Sequence, residues 1–199
     1  MIFATVGTQL PFDRLLLALD TWAAMHSDVP VLAQTGQTNT LYANLTVVAK
    51  MDAAQFADAV AQAKVIVAHA GMGTILTAIE AGKQVILLPR RADLGEHRND
   101  HQRDTAMEMA ALPNVTVVED SSSLCEAIGA ALARSNDPLL AARSTVASAS
   151  LLETIQDFIW SEASQPHRKS LGKTRRARLS SLLRNPLRTA LPLTQSLRT

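Results

Sequence analysis

The chain of 199 residues contains one cysteine, Cys125. An internal disulfide is therefore impossible. A single thiol in a helical, apolar setting reads as a buried side chain suited to a reducing compartment, not as a nucleophile. Aromatic residues make up only 4% of the chain, which leaves a core to be built from Ala, Leu, Ile and Val. No run of about 18 apolar residues occurs, so no membrane-spanning helix is expected. The first residues read as a strand and not as a charged stretch before an apolar segment, so no signal peptide is expected. No internal repeat is present. Neither a Ser-His-Asp or Cys-His arrangement nor a pair of carboxylates of glycosidase type is evident, which argues against the common hydrolase chemistries.

Charge of one sign is scarce only on average. The net charge of +1 hides an acidic body, with 10 Lys/Arg against 17 Asp/Glu over residues 1–161, and a basic end, with 9 Lys/Arg and one Glu over residues 162–199. The apolar fraction of 47% suits one soluble α/β domain with a sizeable core. After Trp160 the apolar periodicity stops; Pro166, Pro186 and Pro192 stand among dense Arg and Ser. The domain is thus expected over 1–161, followed by a tail over 162–199 that is disordered or peripheral to a membrane. Leu179, Leu182, Leu183 and Leu187 alternate there with Arg178, Arg184 and Arg188. Two readings stand side by side: a solvated basic tail, or an amphipathic segment lying on an anionic membrane surface. The tail has no aromatic side chain to stack on bases and the body is acidic, so nucleic acid is not an expected partner.

Within the body, short β-branched runs alternate with helical periodicity. Strands are expected at 2–6, 29–33, 45–48, 65–68, 85–88 and 115–118. Helices are expected at 12–25, from an Asp52 N-cap to about 63, at 74–81, 97–111, from Asp120 or Ser121 to about 134, and at 138–160. Phe56, Val60 and Ala61 are expected to face inward, and Gly82 to close its helix in the left-handed conformation. This order describes an open, doubly wound, mostly parallel Rossmann-like sheet, whose ligands lie beyond the carboxyl ends of the strands. Gly7, His69 and Pro89 all fall at such ends.

The most informative stretch is 65–102. Strand Val65–Ala68 runs into the turn His69-Ala70-Gly71-Met72-Gly73, then a helix, then strand Val85–Leu88. Gly71 and Gly73 carry no Cβ, so the backbone can turn tightly and a ligand can come close. The first amides of the following helix are unpaired and carry roughly half a positive charge. That makes the turn a phosphate site, with His69, Thr74 and Thr77 adding polar groups. A tight structural turn is the alternative for the glycines alone. Further on come Arg90-Arg91, suited to phosphate or to the loop itself, then Glu96-His97 and Asp100-His101-Gln102. His97, Asp100 and His101 stand at i, i+3, i+4. No Cys joins them and the helix terminus already neutralises a diphosphate, so no metal is expected.

The combined motifs HAGMGT, GKQ, PRR, GEH and DHQ, with Ile2-Phe3-Ala4-Thr5-Val6-Gly7-Thr8-Gln9 and Pro11-Phe12-Asp13 at the start, resemble the C-terminal, MurG-like donor half of family 28 GT-B glycosyltransferases. They are most similar to the small subunits of split enzymes that make dolichol-linked chitobiose or bacterial exopolysaccharide. The resemblance covers about residues 1–160. It implies a nucleotide-sugar-binding domain in which Gly7, Thr8, Gln9, His69, Gly71, Met72, Gly73 and Thr74 face the diphosphate. Glu96, His97, Asp100, His101 and Gln102 match the region that reads the transferred sugar. The family places an acidic ribose ligand eight residues after the histidine; here that position is Thr77, and Glu80 lies one turn along the same helix.

The resemblance further implies a UDP-sugar as substrate without a separate cofactor, and a general base supplied by a membrane-anchored, acceptor-binding partner subunit. It implies a location on the cytoplasmic face of a membrane. A non-catalytic nucleotide-sugar-binding subunit is the alternative left open by Thr77. A dinucleotide-dependent oxidoreductase is disfavoured, because Gly7-Thr8-Gln9 lacks G-x-G-x-x-G spacing.

Overall fold

The computed structural model describes residues 1–135. Six strands, β1 (Ile2–Thr5), β2 (Val31–Gln34), β3 (Thr46–Val48), β4 (Val65–Ala68), β5 (Gln84–Leu87) and β6 (Val115–Val117), form one sheet in the order β3-β2-β1-β4-β5-β6. Every pairing is parallel; Ile2 stands opposite Val31 on one side and Val65 on the other. The interleaved helices are α1 (Asp13–Met25), α2 (Ala53–Gln62), α3 (Met72–Glu80), α4 (His101–Met109) and α5 (Ser121–Ser135).

The central strands are buried on both faces, as their continuous apolar runs require. Ile2, Ala4, Val65, Val67, Ile86 and Leu88 pack with α1 and α5, where Leu15, Leu16, Leu19, Trp22 and Ile128 are buried. The alternate residues Phe3, Ile66, Ala68, Val85 and Leu87 pack with α2 and α3 through Val60, Ile75 and Ile79. Phe56 sets its ring edge-on to Phe3 at 5.3 Å. Ala61, expected to face inward, is exposed.

Helix ends follow local chemistry. Asp52 and Gln55 form a reciprocal capping box on α2. Asp120 accepts from the Ser123 amide at 2.8 Å, capping α5. At the end of α3, Gly82 adopts φ 62° while Lys83 N–H donates to Ala78 and Gly82 N–H to Ile79, a Schellman closure.

Two helices begin elsewhere than the periodicity predicts. The third starts at Met72, not Thr74, which takes Gly73 out of the turn and into the first helical turn. The fourth starts at His101, not His97. Residues 92–100 instead form turns in which side chains bond to nearby groups: Asp100 accepts from Ala92 N–H at 3.0 Å and the His97 Nδ1 lies 3.1 Å from Asn99 Oδ1. Short polar side chains of this kind compete with the helical ladder. His97, Asp100 and His101 therefore do not share a helical turn. The expected helix at 138–160 and the basic tail lie outside the described residues. Among the described residues no helix is long and apolar enough to cross a membrane.

The chain winds from β1 outward through β2 to β3, returns to β4 on the other side of β1, and continues to β6. Strand order therefore reverses between β1 and β4, and a crevice is expected beyond their carboxyl ends.

Candidate functional site: an anion cleft at the strand switch point

A cleft of about 320 Å³ opens at that position. It is lined by the β1–α1 turn (Val6 to Leu10), by His69, Gly71, Gly73 and Thr74 from the β4–α3 junction, and by Arg90, His97 and Gln102 beyond β5. Among the described residues no Asp or Glu lines it.

Helix α3 aims its amino end here. Among the described residues the backbone N–H groups of Met72, Gly73 and Thr74 have no acceptor, while Gly71 N–H is taken by the His69 carbonyl at 2.8 Å and Ile75 N–H by Gly71 at 3.1 Å. Three free amides at the positive end of a helix make an anion site. A Cβ built on Gly73 meets nothing within 4 Å, so its open face is available to a ligand.

The imidazole of His69 is wedged between two glycines. A Cβ on Gly7, which has φ 77°, would lie 2.9 Å from the ring, and a Cβ on Gly71 would overlap it. Gly71 has φ −96°, so the ring and not the backbone conformation demands glycine there. The ring's Nδ1 is buried without a hydrogen-bond partner. Burial pushes the ring's pKa down to about 4, helped by the charges of Arg90 and His97 and opposed by the Thr5 backbone.

Arg90 is 2% exposed. Its guanidinium donates to the carbonyls of Val6 (2.9 Å), Leu10 (2.6 Å), Pro11 (2.6 Å) and Glu96 (3.3 Å), and lies 4.6 Å over the Phe12 ring. These bonds hold the β1–α1 turn in place. Of the two roles expected for it, the geometry shows the loop contact. Gln102 supports the same junction by accepting from Arg90 N–H at 3.1 Å, which leaves its side-chain amide group as a donor. Arg91 is paired with Asp93 at the surface.

Glu96, expected to read the sugar, is engaged elsewhere. Its carboxylate accepts from Arg14 Nε at 2.7 Å and Nη2 at 2.8 Å, and from Arg91 N–H at 3.0 Å. Arg14 also donates to the Pro89 carbonyl at 2.9 Å. This Arg14 clamp joins α1 to the loop after β5. The sequence reading did not single it out, because nothing local marks a pair 82 residues apart.

Thus ten of the expected residues meet in one cleft: Gly7, Thr8, Gln9, His69, Gly71, Gly73, Thr74, Arg90, His97 and Gln102. Met72, Thr77, Glu80, Arg91, Glu96, Asp100 and His101 lie outside its lining. The Met72 side chain is 38% exposed and only its amide faces the site's helix end. Thr77 donates back to the Gly73 carbonyl at 2.9 Å, and Glu80 is exposed one turn further on.

Solved structures share this architecture. Acinetobacter baumannii MurG superposes with a TM-score of 0.50 at 20% identity, covering 78% of this chain and 49% of that one. The Streptomyces nogalater glycosyltransferase SnogD gives 0.52 at 20%, covering 79% and 42%. A UDP-glucose:anthocyanidin 3-O-glucosyltransferase gives 0.52 at 15%, covering 92% and 39%. The chain thus spans less than half the length of each, and at these identities the likeness speaks for the fold. No curated protein sequence matches significantly. The sequence model of the glycosyltransferase family 28 C-terminal domain matches residues 1–158, which include the whole sheet and every residue that lines the cleft. With a cleft at the strand switch point and that match over most of its length, the chain belongs to the glycosyltransferase family 28 C-terminal domain family.

Proposed function

We propose that the chain is the donor-binding, catalytic subunit of a split, inverting glycosyltransferase that moves a hexose from a UDP-sugar to a lipid-linked acceptor in polysaccharide biosynthesis. The observation that carries this reading is the cleft itself: three free helix amides and an imidazole face a space that, among the described residues, no carboxylate lines. The diphosphate sits against α3; His97 and the Gln102 amide group face the sugar. As the glycosidic carbon–oxygen bond breaks, the departing diphosphate gains negative charge. Preorganised amides hold that charge better in the transition state than in the ground state. The anthocyanidin glucosyltransferase neighbour is in complex with UDP, the nucleotide assigned here.

Neither His69, which is wedged, nor Arg90, which is committed, is placed as a base for an acceptor hydroxyl. In this reading the acceptor half and the base belong to a partner subunit anchored in a membrane. The basic tail adds contact with anionic lipid on the cytoplasmic face. Thr77, hydrogen-bonded to its own helix where an acid would hold ribose, favours one second reading: a non-catalytic subunit that enhances a partner enzyme.

Calorimetric titration with UDP and with NAD tests the site. Binding of UDP and not NAD is expected, and preference for NAD sinks the reading. Turnover of radiolabelled UDP-sugar with and without the copurifying protein separates the catalytic from the enhancing role.

A further inference from the structure

We propose that the His69 imidazole takes up a proton when a diphosphate diester enters the cleft, so that donor binding is coupled to protonation of one buried ring. This rests on the nucleotide-sugar reading above and adds a linkage that the reading does not require.

Among the described residues the geometry leaves the ring beside the Arg90 guanidinium and with no anion. From β1, the Thr5 backbone is the one influence that favours a charged ring. From the segment beyond β5, Arg90 and His97 oppose it. Glu96, whose charge acts on Arg90, is held by Arg14 and the Arg91 amide. Among the described residues no acidic side chain lines the cleft. Gly7 and Gly71 lie so close to the ring that neither has room for a Cβ, and Nδ1 is buried without a partner. A ring so placed is neutral when the cleft is empty, in keeping with its pKa of about 4.

A diphosphate on the free amides of Met72, Gly73 and Thr74 supplies the missing negative charge. An opposite charge within hydrogen-bonding range raises a pKa by about 1–3 units. His69 in the complex then titrates at least a unit above its value in the empty cleft. Because the bound-state value is the higher one, affinity grows as pH falls through it and levels off near the free value.

The probes are UDP-glucose and UDP-N-acetylglucosamine, whose diphosphate charges do not change between about pH 5 and pH 8. Calorimetry of the full chain at several pH values, in buffers of different ionisation enthalpy, reads affinity and proton uptake together. The expected result is affinity about tenfold higher at pH 5 than at pH 8, with net uptake near one proton at the acid end. The rise should vanish in His69→Gln and persist in His97→Gln. The His69 ring resonance gives a measurement independent of how well the variants fold: it should titrate near the free value without ligand and at least a unit higher with it. Binding with flat affinity and no proton uptake overturns the coupling while leaving the nucleotide-sugar site standing. A pH dependence that survives in His69→Gln, or is lost in His97→Gln, also overturns it. Failure of both probes to bind at any pH removes the nucleotide-sugar reading and the coupling together.

Discussion

Arg14 and Glu96 meet in a two-pronged ion pair, with N–O distances of 2.7 and 2.8 Å, across 82 residues of sequence. The side chains are only 19% and 13% exposed. Beneath them the Arg14 and Arg90 guanidiniums lie over the same Phe12 ring at 5.2 and 4.6 Å. The pair and the ring together fasten the first turn of the chain to the loop after β5, so both walls of the cleft depend on it.

Removing one partner should be costly because the other charge is left half-buried. Glu96→Ala is expected to destabilise the domain by about 2 kcal/mol, read as a lower urea midpoint with an unchanged slope. Arg14→Ala combined with Glu96→Ala should cost less than the sum of the single changes. Strict additivity in that cycle would mean that the two residues act separately.

The two glycines of the α3 junction should behave in opposite ways. Gly71→Ala puts a methyl group into the space of the His69 ring and should displace it, lowering both stability and UDP affinity. Gly73→Ala meets no protein atom and replaces a helical glycine, so stability should rise by about 0.5 kcal/mol. The larger Gly73→Val should weaken UDP by about tenfold while the domain stays folded. Thermal melts and UDP titrations on the variants decide it. Unchanged affinity in folded Gly73→Val would remove the diphosphate from the end of α3.

What the sequence revealed and what it hid follow the range of the interactions. Strands β1, β4 and β5 and the burial of Leu15, Leu16, Leu19, Trp22 and Ala23 on α1 follow from periodicity within a few residues. So do the Asp52 capping box and the Gly82 closure. The glycine turn and the cleft residues were legible through their motifs. The task of Arg90 was not: its carbonyl partners Val6, Leu10 and Pro11 lie 79 to 84 residues away and carry no side-chain signal. The reason for Gly71 was hidden likewise, because only the folded ring shows that a Cβ has no room.

The ribose contact can be tested with a ligand pair. Thr77 spends its hydroxyl proton on the Gly73 carbonyl, so it remains only an acceptor, whereas the Glu80 carboxylate is exposed one helical turn on. Glu80→Gln should weaken UDP about threefold to tenfold, the net worth of a typical hydrogen bond, and leave 2′,3′-dideoxy-UDP unaffected. Equal losses for both ligands would make Glu80 structural and direct the same test to Thr77.

Asp13 should make stability depend on pH in the acid range. Its carboxylate accepts from Thr38 at 2.9 Å, Thr40 at 3.0 Å and Tyr42 at 2.8 Å, tying the segment after β2 to the start of α1. Burial alone would raise its pKa, but the three hydroxyl donors prevail and the net shift is below 3.8. A depressed folded-state value means that the stabilisation is complete above the unfolded value and is lost as pH falls through the folded one. Asp13→Asn should therefore lower the denaturation midpoint near neutral pH. The gap between variant and wild type should close as pH falls through the depressed folded-state value and the carboxylate takes up its proton. Tyr42→Phe, which removes one of the donors, should give a smaller gap with the same pH dependence. A gap that stays constant from neutral pH to the acid limit would show that the carboxylate's charge is not what holds this segment.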